Sequence, residues 1–183
     1  MKRSKVYIIA EIGSNYNRNL DTAKQYITEC SLRGADAIKF QSWKSEDIKN
    51  TDLATLKKYE LPDEWHQELQ ECCKSHNVDF MSTPFSIAKA RLLRSLGVPA
   101  IKIASGDLTY YQLLQEVASY NLPVFLSTGM SDFVEIEKAL EPFGKYRKNV
   151  TLMHCVSANP PELNEANILA IQTMTEKFQL PVG

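Results

Sequence analysis

Alternating strand and helix patterns predict an α/β protein whose fold class is an incomplete (β/α)8 barrel of the TIM type. About six strand and helix units of similar length follow one another, and the apolar segment at 180–183 is typical of the start of a seventh strand. Repeats of this kind form a parallel sheet with right-handed crossovers. A closed barrel usually needs about 250 residues, and this chain has 183, so we expect only part of a barrel.

An open doubly wound sheet is the alternative, and the carboxyl ends of the strands favour the barrel over it. The open fold places a glycine-rich phosphate loop after its first strand, whereas this chain has Glu-Ile-Gly-Ser-Asn there. Nearly every strand ends instead in polar side chains, and only the mouth of a barrel collects all of them. These residues are Glu11, Lys39, Gln41, Thr83, Lys102, Ser105, Ser127 and Ser157.

The first half of the chain contains three apolar runs that are typical of buried strands. Asn19 or Asp21 is suited to cap the helix that follows the first strand. A long polar insertion between Trp43 and Pro62 separates the second strand from its helix; insertions of this size often matter at binding sites, but a peripheral excursion explains it equally well. Strands are predicted at 6–13, 35–41 and 78–85, and helices from residue 20 to the glycine at 34, at 53–59, at 63–75 and at 87–96.

The second half repeats the same unit. Its first strand is unusual because Lys102 interrupts a short apolar run, and Ser105, Gly106 and Asp107 then form a turn. Strands are predicted at 100–104, 123–128 and 149–157, with a further strand starting at 180–183, and helices at 111–120, 133–143 and 164–178.

Composition and charge exclude several classes of function. The chain is 44% hydrophobic, which suits one well-buried domain, and its net charge of −1 argues against affinity for nucleic acid or an anionic membrane. No apolar run reaches the length of a membrane span. Four cysteines without CxxC spacing argue against a zinc site or a disulfide framework and favour a reducing, cytoplasmic location.

The strand-end residues suit a small, highly charged anion. Lys39 and Lys102 supply positive charge, and hydroxyls of threonine and serine supply directed hydrogen bonds. A buried ammonium needs a partner, although the Lys102 head could instead reach solvent or pair with a carboxylate. The hydroxyls could equally cap helices and turns.

Two further residues have alternative interpretations. Glu11 could act as a general acid or base or hold a substrate hydroxyl, or it could neutralise one of the two lysines. His154, expected inside the sixth strand, is better explained as a hydrogen-bonded core histidine than as a metal ligand.

Six blocks, in order along the chain, resemble the signature blocks of the sialic acid synthase family. The resemblance extends from about Val6 to Gly183. The blocks are Ala-Glu-Ile-Gly-Ser-Asn at 10–15, Gly-Ala-Asp-Ala-Ile-Lys-Phe-Gln at 34–41, Ser-Thr-Pro-Phe at 82–85, Lys-Ile-Ala-Ser-Gly-Asp at 102–107, Leu-Ser-Thr-Gly-Met at 126–130 and His-Cys-Val-Ser at 154–157.

This resemblance implies condensation of phosphoenolpyruvate with an N-acetylated hexose to give a nonulosonic acid such as N-acetylneuraminic acid. Phosphate leaves by C–O cleavage, and a divalent metal, Mn²⁺ or Mg²⁺, polarises the sugar aldehyde. Glu11 matches the family's active-site glutamate, and Gln41 would reach towards the sugar. The residues that would surround phosphoenolpyruvate are Lys39, Thr83, Lys102, Ser105, Ser127 and Ser157.

The chain departs from the family pattern in three places. Tyr16-Asn17-Arg18 replaces the usual His-Asn-Gly, and Asn159-Pro160-Pro161 replaces a Tyr-Pro pair; both lie near the expected sugar side. The third departure is the ending, because the family's metal-ligating histidines are expected beyond Gly183. We therefore expect residues 1–183 to be part of the N-terminal synthase barrel, without metal ligands of their own.

The last barrel units and the antifreeze-like C-terminal domain, which in the family covers the partner's active site in a homodimer, are then absent, and we expect this chain alone to be inactive. Two other functions stay open at this point. The chain could be a class I aldolase with Lys102 or Lys39 as Schiff-base nucleophile, or a non-catalytic fragment that retains an anion pocket.

Overall fold

The computed structural model describes residues 6–47, 52–158 and 160–183. The chain divides into two compact units, Met1–Pro99 and Ala100–Gly183. Each unit contains a parallel three-stranded sheet with its strands in chain order. No helix in these described ranges is long and apolar enough to cross a membrane.

The first unit has the predicted order of elements. Asn19 is the N-cap, because its side chain accepts a hydrogen bond from the Thr22 backbone N–H at 2.9 Å, which confirms the first of the two predicted caps. The strands are β1 (Ile9–Gly13), β2 (Ala37–Ser42) and β3 (Asp79–Pro84), and the helices are α1 (Leu20–Leu32), α2 (Leu53–Lys57), α3 (Trp65–Ser75) and α4 (Ile87–Ser95). Residues 48–51 of the polar insertion lie outside the described residues.

Aromatic side chains fill the core of this unit beside the sheet. Tyr16 and Phe40 are fully buried and meet edge to face with their ring centroids 6.0 Å apart. Tyr16 also packs against Trp65, at 6.3 Å, and Phe40 stacks on Phe80 at 5.8 Å. These contacts hold the loop after β1 against β2 and α3.

A buried polar chain crosses the same core. Ser42, Ser82 and His66 are all inaccessible to solvent. The His66 Nδ1 lies 3.1 Å from the Pro62 carbonyl, which can only accept, so Nδ1 carries the hydrogen and Nε2 accepts from Ser42 Oγ at 2.7 Å. Ser42 Oγ lies 2.6 Å from Ser82 Oγ. Burial lowers the pKa of His66, because an imidazolium ion would lose its hydration there.

This histidine makes stability depend on pH. As the pH falls below about 6.5, the unfolded chain binds a proton that folded His66 does not, so the free energy of unfolding decreases. The slope contributed by one such group is at most about 1.4 kcal/mol per pH unit. Urea unfolding from pH 7 to pH 5 should show this slope in the wild type and a smaller one in His66→Gln. His76→Gln, which removes a less buried histidine of the same unit, is the control, and an equal loss of slope in both variants would contradict the assignment.

The second unit also follows the predicted order. Its strands are β4 (Ile101–Ile103), β5 (Val124–Ser127) and β6 (Val150–Met153), and its helices are α5 (Tyr111–Ala118), α6 (Phe133–Leu140) and α7 (Leu169–Phe178). Val182 pairs with Leu152 in a parallel bridge. The Gly183 N–H donates to the Leu152 carbonyl, and the His154 N–H donates to the Gly183 carbonyl. The predicted start of a seventh strand is therefore confirmed.

Two predicted boundaries in this unit are wrong by four residues or more. The sixth strand stops at Met153 rather than at residue 157, because its partner β5 ends at Ser127, which is paired with Met153. His154 thus follows the strand, and its Nε2 lies 2.8 Å from the Ala166 carbonyl. The last helix begins at Leu169 rather than at residue 164, because Asn167 has a left-handed backbone conformation with φ of 39°.

Candidate active site

Lys102 and Ser127 form the centre of a polar cluster in the second unit. Lys102 lies in the middle of β4, and Ser127 ends the neighbouring strand β5. The Lys102 ammonium donates to the Ile103 carbonyl at 2.8 Å and to Ser127 Oγ. Both of these oxygens are neutral, so these two contacts orient the ammonium but do not themselves neutralise its charge.

Asp107 is a carboxyl group that lies within the electrostatic influence of this lysine. Burial raises the pKa of Asp107, and the positive charge of Lys102 opposes that shift. Desolvation is the larger of the two effects.

Ser105 and Ser157 approach the same buried glycine. The Gly129 backbone N–H donates to Ser105 Oγ at 3.1 Å. A Cβ built on Gly129 would lie 2.7 Å from Ser157 Oγ and 2.9 Å from Ser105 Oγ, distances that a real Cβ does not tolerate. The absence of a side chain at Gly129 thus lets two hydroxyls from different loops come together.

Cys155 joins the two halves of this cluster. Its Sγ lies 3.3 Å from Ser127 Oγ and 3.5 Å from the Met153 carbonyl, and its own carbonyl would lie 3.3 Å from a Cβ on Gly129. Cys155 and His154 also line a cavity of about 390 Å³ beside α6 and α7.

The first unit holds the remaining predicted residues on its strands, with Gln41 and Thr83 close to the carboxyl ends of β2 and β3 and with Glu11 and Lys39 nearer the middle of β1 and β2. The parallel register pairs Glu11 with Lys39 and Gln41 with Thr83. Lys39 forms an ion pair with Glu11 Oε2, and its Nζ lies 3.4 Å from Thr83 Oγ1. Gln41 Nε2 lies 3.4 Å from Glu11 Oε1. The Lys39 side chain is 12% exposed and that of Glu11 is 45% exposed, so the pair opens to solvent on its acidic side.

The structure therefore places four of the predicted site residues in each unit. In the second unit Lys102 contacts Ser127, and Ser105 and Ser157 lie against Gly129; in the first unit contacts link Glu11, Lys39, Gln41 and Thr83 across the sheet. Glu11 has the neutralising contact with Lys39 that was one of its two interpretations. The sequence did not single out Gly129 or Cys155, although both lie within the quoted blocks.

One departure from the family pattern has a structural explanation. Tyr16 is fully buried, and its hydroxyl donates to the Tyr59 carbonyl at 3.1 Å. Arg18 donates to the Lys57 carbonyl, so both side chains tie the loop after β1 to the end of α2 and the segment that follows it. Tyr16 thus packs in the core.

A cavity of about 400 Å³ in the same unit is lined by Glu11, Ile12, Asn15 and Tyr26. Asn159, in the other departure, lies outside the described residues.

No group of three or more His, Cys, Asp or Glu side chains in the described part of the chain is arranged to hold a metal ion. These residues do not fit the divalent metal that the resemblance implies, so no step through a metal is assigned to this chain. The metal stays a prediction.

The sequence model of the NeuB family matches residues 26–183, which is most of the chain. The chain belongs to the NeuB family. This result confirms the resemblance to the sialic acid synthases that the six blocks indicated.

Several similar proteins are named as synthases of legionaminic acid, N-acetylneuraminate 9-phosphate or pseudaminic acid. The chain is 37% identical to an N,N'-diacetyllegionaminic acid synthase of Campylobacter jejuni, over 98% of the chain and 60% of that protein. It is 34% identical to an N-acetylneuraminate-9-phosphate synthase of Drosophila melanogaster, over 94% of the chain and 51% of that protein. The chain thus spans little more than half the length of these relatives.

A solved structure supports the fold class. The N-acetylneuraminic acid synthetase of Leptospira borgpetersenii, in a crystal structure with citrate, matches 98% of this chain and 64% of its own, with a TM-score of 0.93 and 36% identity. Together with the parallel strands and intervening helices, this match confirms the predicted incomplete (β/α)8 barrel.

Proposed function

We propose that this NeuB family chain binds phosphoenolpyruvate, as the anion-binding part of an enzyme that condenses it with an N-acetylated sugar to a nonulosonic acid. The observation that carries the proposal is the polar cluster of the second unit, in which Lys102 contacts Ser127, and Ser105 and Ser157 lie against Gly129. The names of the relatives favour a synthase over a class I aldolase.

The chemistry of the cluster suits a phosphate ester with a carboxylate. An ammonium supplies charge without a fixed direction, and hydroxyls supply directed donors. Ser105 already accepts from the Gly129 N–H, so its own hydrogen is available to an anion oxygen. The assignment of Lys39 and Thr83 to the same anion rests on their sequence blocks and stays a prediction.

The proposed reaction forms one carbon–carbon bond. The methylene carbon of phosphoenolpyruvate attacks the aldehyde carbon of the open-chain sugar, and the aldehyde oxygen takes up a proton. Water then adds to the resulting cation at C2, and the C2–O bond to phosphate breaks. The products are the nonulosonic acid and inorganic phosphate.

Glu11 and Gln41 are the residues proposed for the sugar side of this reaction. Glu11 Oε2 is engaged by Lys39, whereas Oε1 makes a long contact of 3.4 Å with Gln41. We assign Oε1 to proton transfer or to a substrate hydroxyl, and the Gln41 amide to a sugar hydroxyl. A homodimer and a cytoplasmic location belong to the same proposal for the full-length enzyme.

Calorimetry with phosphoenolpyruvate on the 183-residue chain tests the proposal. Removing a charged donor costs about 1.5–3 kcal/mol, so Lys102→Ala should weaken binding by about 10- to 150-fold. Lys138→Ala removes the same charge from an exposed position on α6 and should bind like the wild type. Equal affinities for wild type and Lys102→Ala would remove Lys102 from the site, and no heat with the wild type would refute the proposed binding.

A further inference from the structure

Ser127 is a buried residue that two hydrogen-bonding groups contact. The residue is 3% exposed. The Lys102 ammonium donates to its Oγ, and the Cys155 Sγ lies 3.3 Å from the same atom. From this geometry we infer that Cys155 is a positioning residue, whose thiol fixes the direction in which Ser127 donates its hydroxyl hydrogen to a bound anion. The inference rests on the proposed function.

The hydrogen-bonding capacity of a hydroxyl group limits what Ser127 can do. A serine hydroxyl has one hydrogen to donate and two lone pairs that accept. An ammonium group has no lone pair, so the Lys102 contact uses one acceptor position of Ser127. When the Cys155 S–H donates to the second position, the only function left to the hydroxyl is to donate. The Ser127 hydrogen is then directed at a third group, as an anion site requires.

The thiol has a second acceptor within reach. The Met153 carbonyl lies 3.5 Å from Sγ, and a thiol can donate its single hydrogen to only one of the two oxygens at a time. If the hydrogen goes to Met153, Ser127 can donate to the sulfur, and the cluster loses one donor for the anion. A bound anion favours the first arrangement, because hydrogen bonds to charged acceptors are stronger than bonds to a thiol.

The backbone of Cys155 is held by an independent contact. Its carbonyl packs against Gly129, at 3.3 Å from the position that a Cβ would occupy on that residue. This backbone contact therefore holds the thiol of Cys155 in place beside Ser127. If the side chain at position 155 cannot donate a hydrogen bond, one lone pair of Ser127 Oγ has no donor from that side. The direction of the Ser127 hydroxyl hydrogen is then no longer fixed by residue 155.

Binding of phosphoenolpyruvate to two variants of the 183-residue chain tests the inference. Loss of one neutral donor is worth about 0.5–1.5 kcal/mol, so Cys155→Ala should raise the dissociation constant by about 2- to 13-fold. Cys155→Ser keeps a donor in the same place and should remain within about twofold of the wild type. Equal affinity of Cys155→Ala and the wild type, or equal weakening in both variants, would overturn the inference.

Infrared spectroscopy at saturating phosphoenolpyruvate gives a readout that does not depend on the affinity. The S–H stretching band of Cys155 is isolated as the difference between wild type and Cys155→Ser. This band should shift in Ser127→Ala, which removes the acceptor, and stay in place in Ser105→Ala, which removes another hydroxyl of the same cluster. A band that is unchanged in Ser127→Ala would refute the contact.

The proposed function and this inference fail in different ways. If the wild type binds no phosphoenolpyruvate, or if Lys102→Ala binds as tightly as the wild type, the proposed function fails and the inference falls with it. If Lys102→Ala binds weakly and Cys155→Ala binds like the wild type, only the role of Cys155 is overturned.

Discussion

Gly129→Ala is expected to weaken phosphoenolpyruvate binding by at least about 100-fold while the chain stays folded. The new methyl group would lie 2.7 Å from Ser157 Oγ and 2.9 Å from Ser105 Oγ, so both hydroxyls must move away from the cluster. Each is the end of a short side chain and can rotate, so binding suffers more than folding. Two hydrogen bonds to a charged ligand are worth about 3 kcal/mol or more together, which gives the expected factor.

Gly106→Ala is the matched control for this variant. Gly106 is exposed, directly follows Ser105, and has no neighbouring atom within 4 Å of an added Cβ. Neither glycine is among the described residues with positive φ, so an alanine is not strained by the backbone at either position. Calorimetry measures phosphoenolpyruvate binding by both variants, and thermal melting measures their stability. The comparison separates the steric effect of the methyl group at Gly129 from the general effect of replacing a glycine by alanine. Tight binding by Gly129→Ala would show that the two hydroxyls are not ligands.

Tyr16→Ala is expected to lower the free energy of unfolding by about 3–5 kcal/mol, the range for removing a buried aromatic side chain. Tyr16 is fully buried against Phe40 and Trp65, and its hydroxyl donates to the Tyr59 carbonyl. Tyr16→Phe removes only that hydrogen bond and should cost about 1 kcal/mol. Urea unfolding followed by circular dichroism measures both changes.

Tyr26→Ala serves as the control, because Tyr26 lies on α1 with 38% of its surface exposed. Its loss should change the free energy of unfolding far less. If Tyr16→Ala were no more destabilising than Tyr26→Ala, the packing role of Tyr16 would be wrong. A large effect would support the view that this departure from the family pattern serves the core of the first unit.

Several features were predictable from the sequence because they depend on neighbouring residues or on a regular spacing of apolar residues. The strand and helix order, the Asn19 cap and the start of a seventh strand at 180–183 agree with the structure. Short apolar runs, capping chemistry and glycine turns act within a few residues of the chain. The less accurate boundaries, at Met153 and Leu169, depend on where a partner strand ends and on one left-handed asparagine.

The sequence by itself determined the family, the incomplete barrel and the polar residues at the strand ends, because ordered blocks and periodic patterns are visible in one dimension. Only the tertiary structure decided that Gly129 admits two hydroxyls, that Cys155 contacts Ser127, and that Tyr16 is a core residue. These contacts join residues 24 to 43 positions apart in the chain. Such pairs are set by strand register and by close packing, which no local pattern of residues specifies.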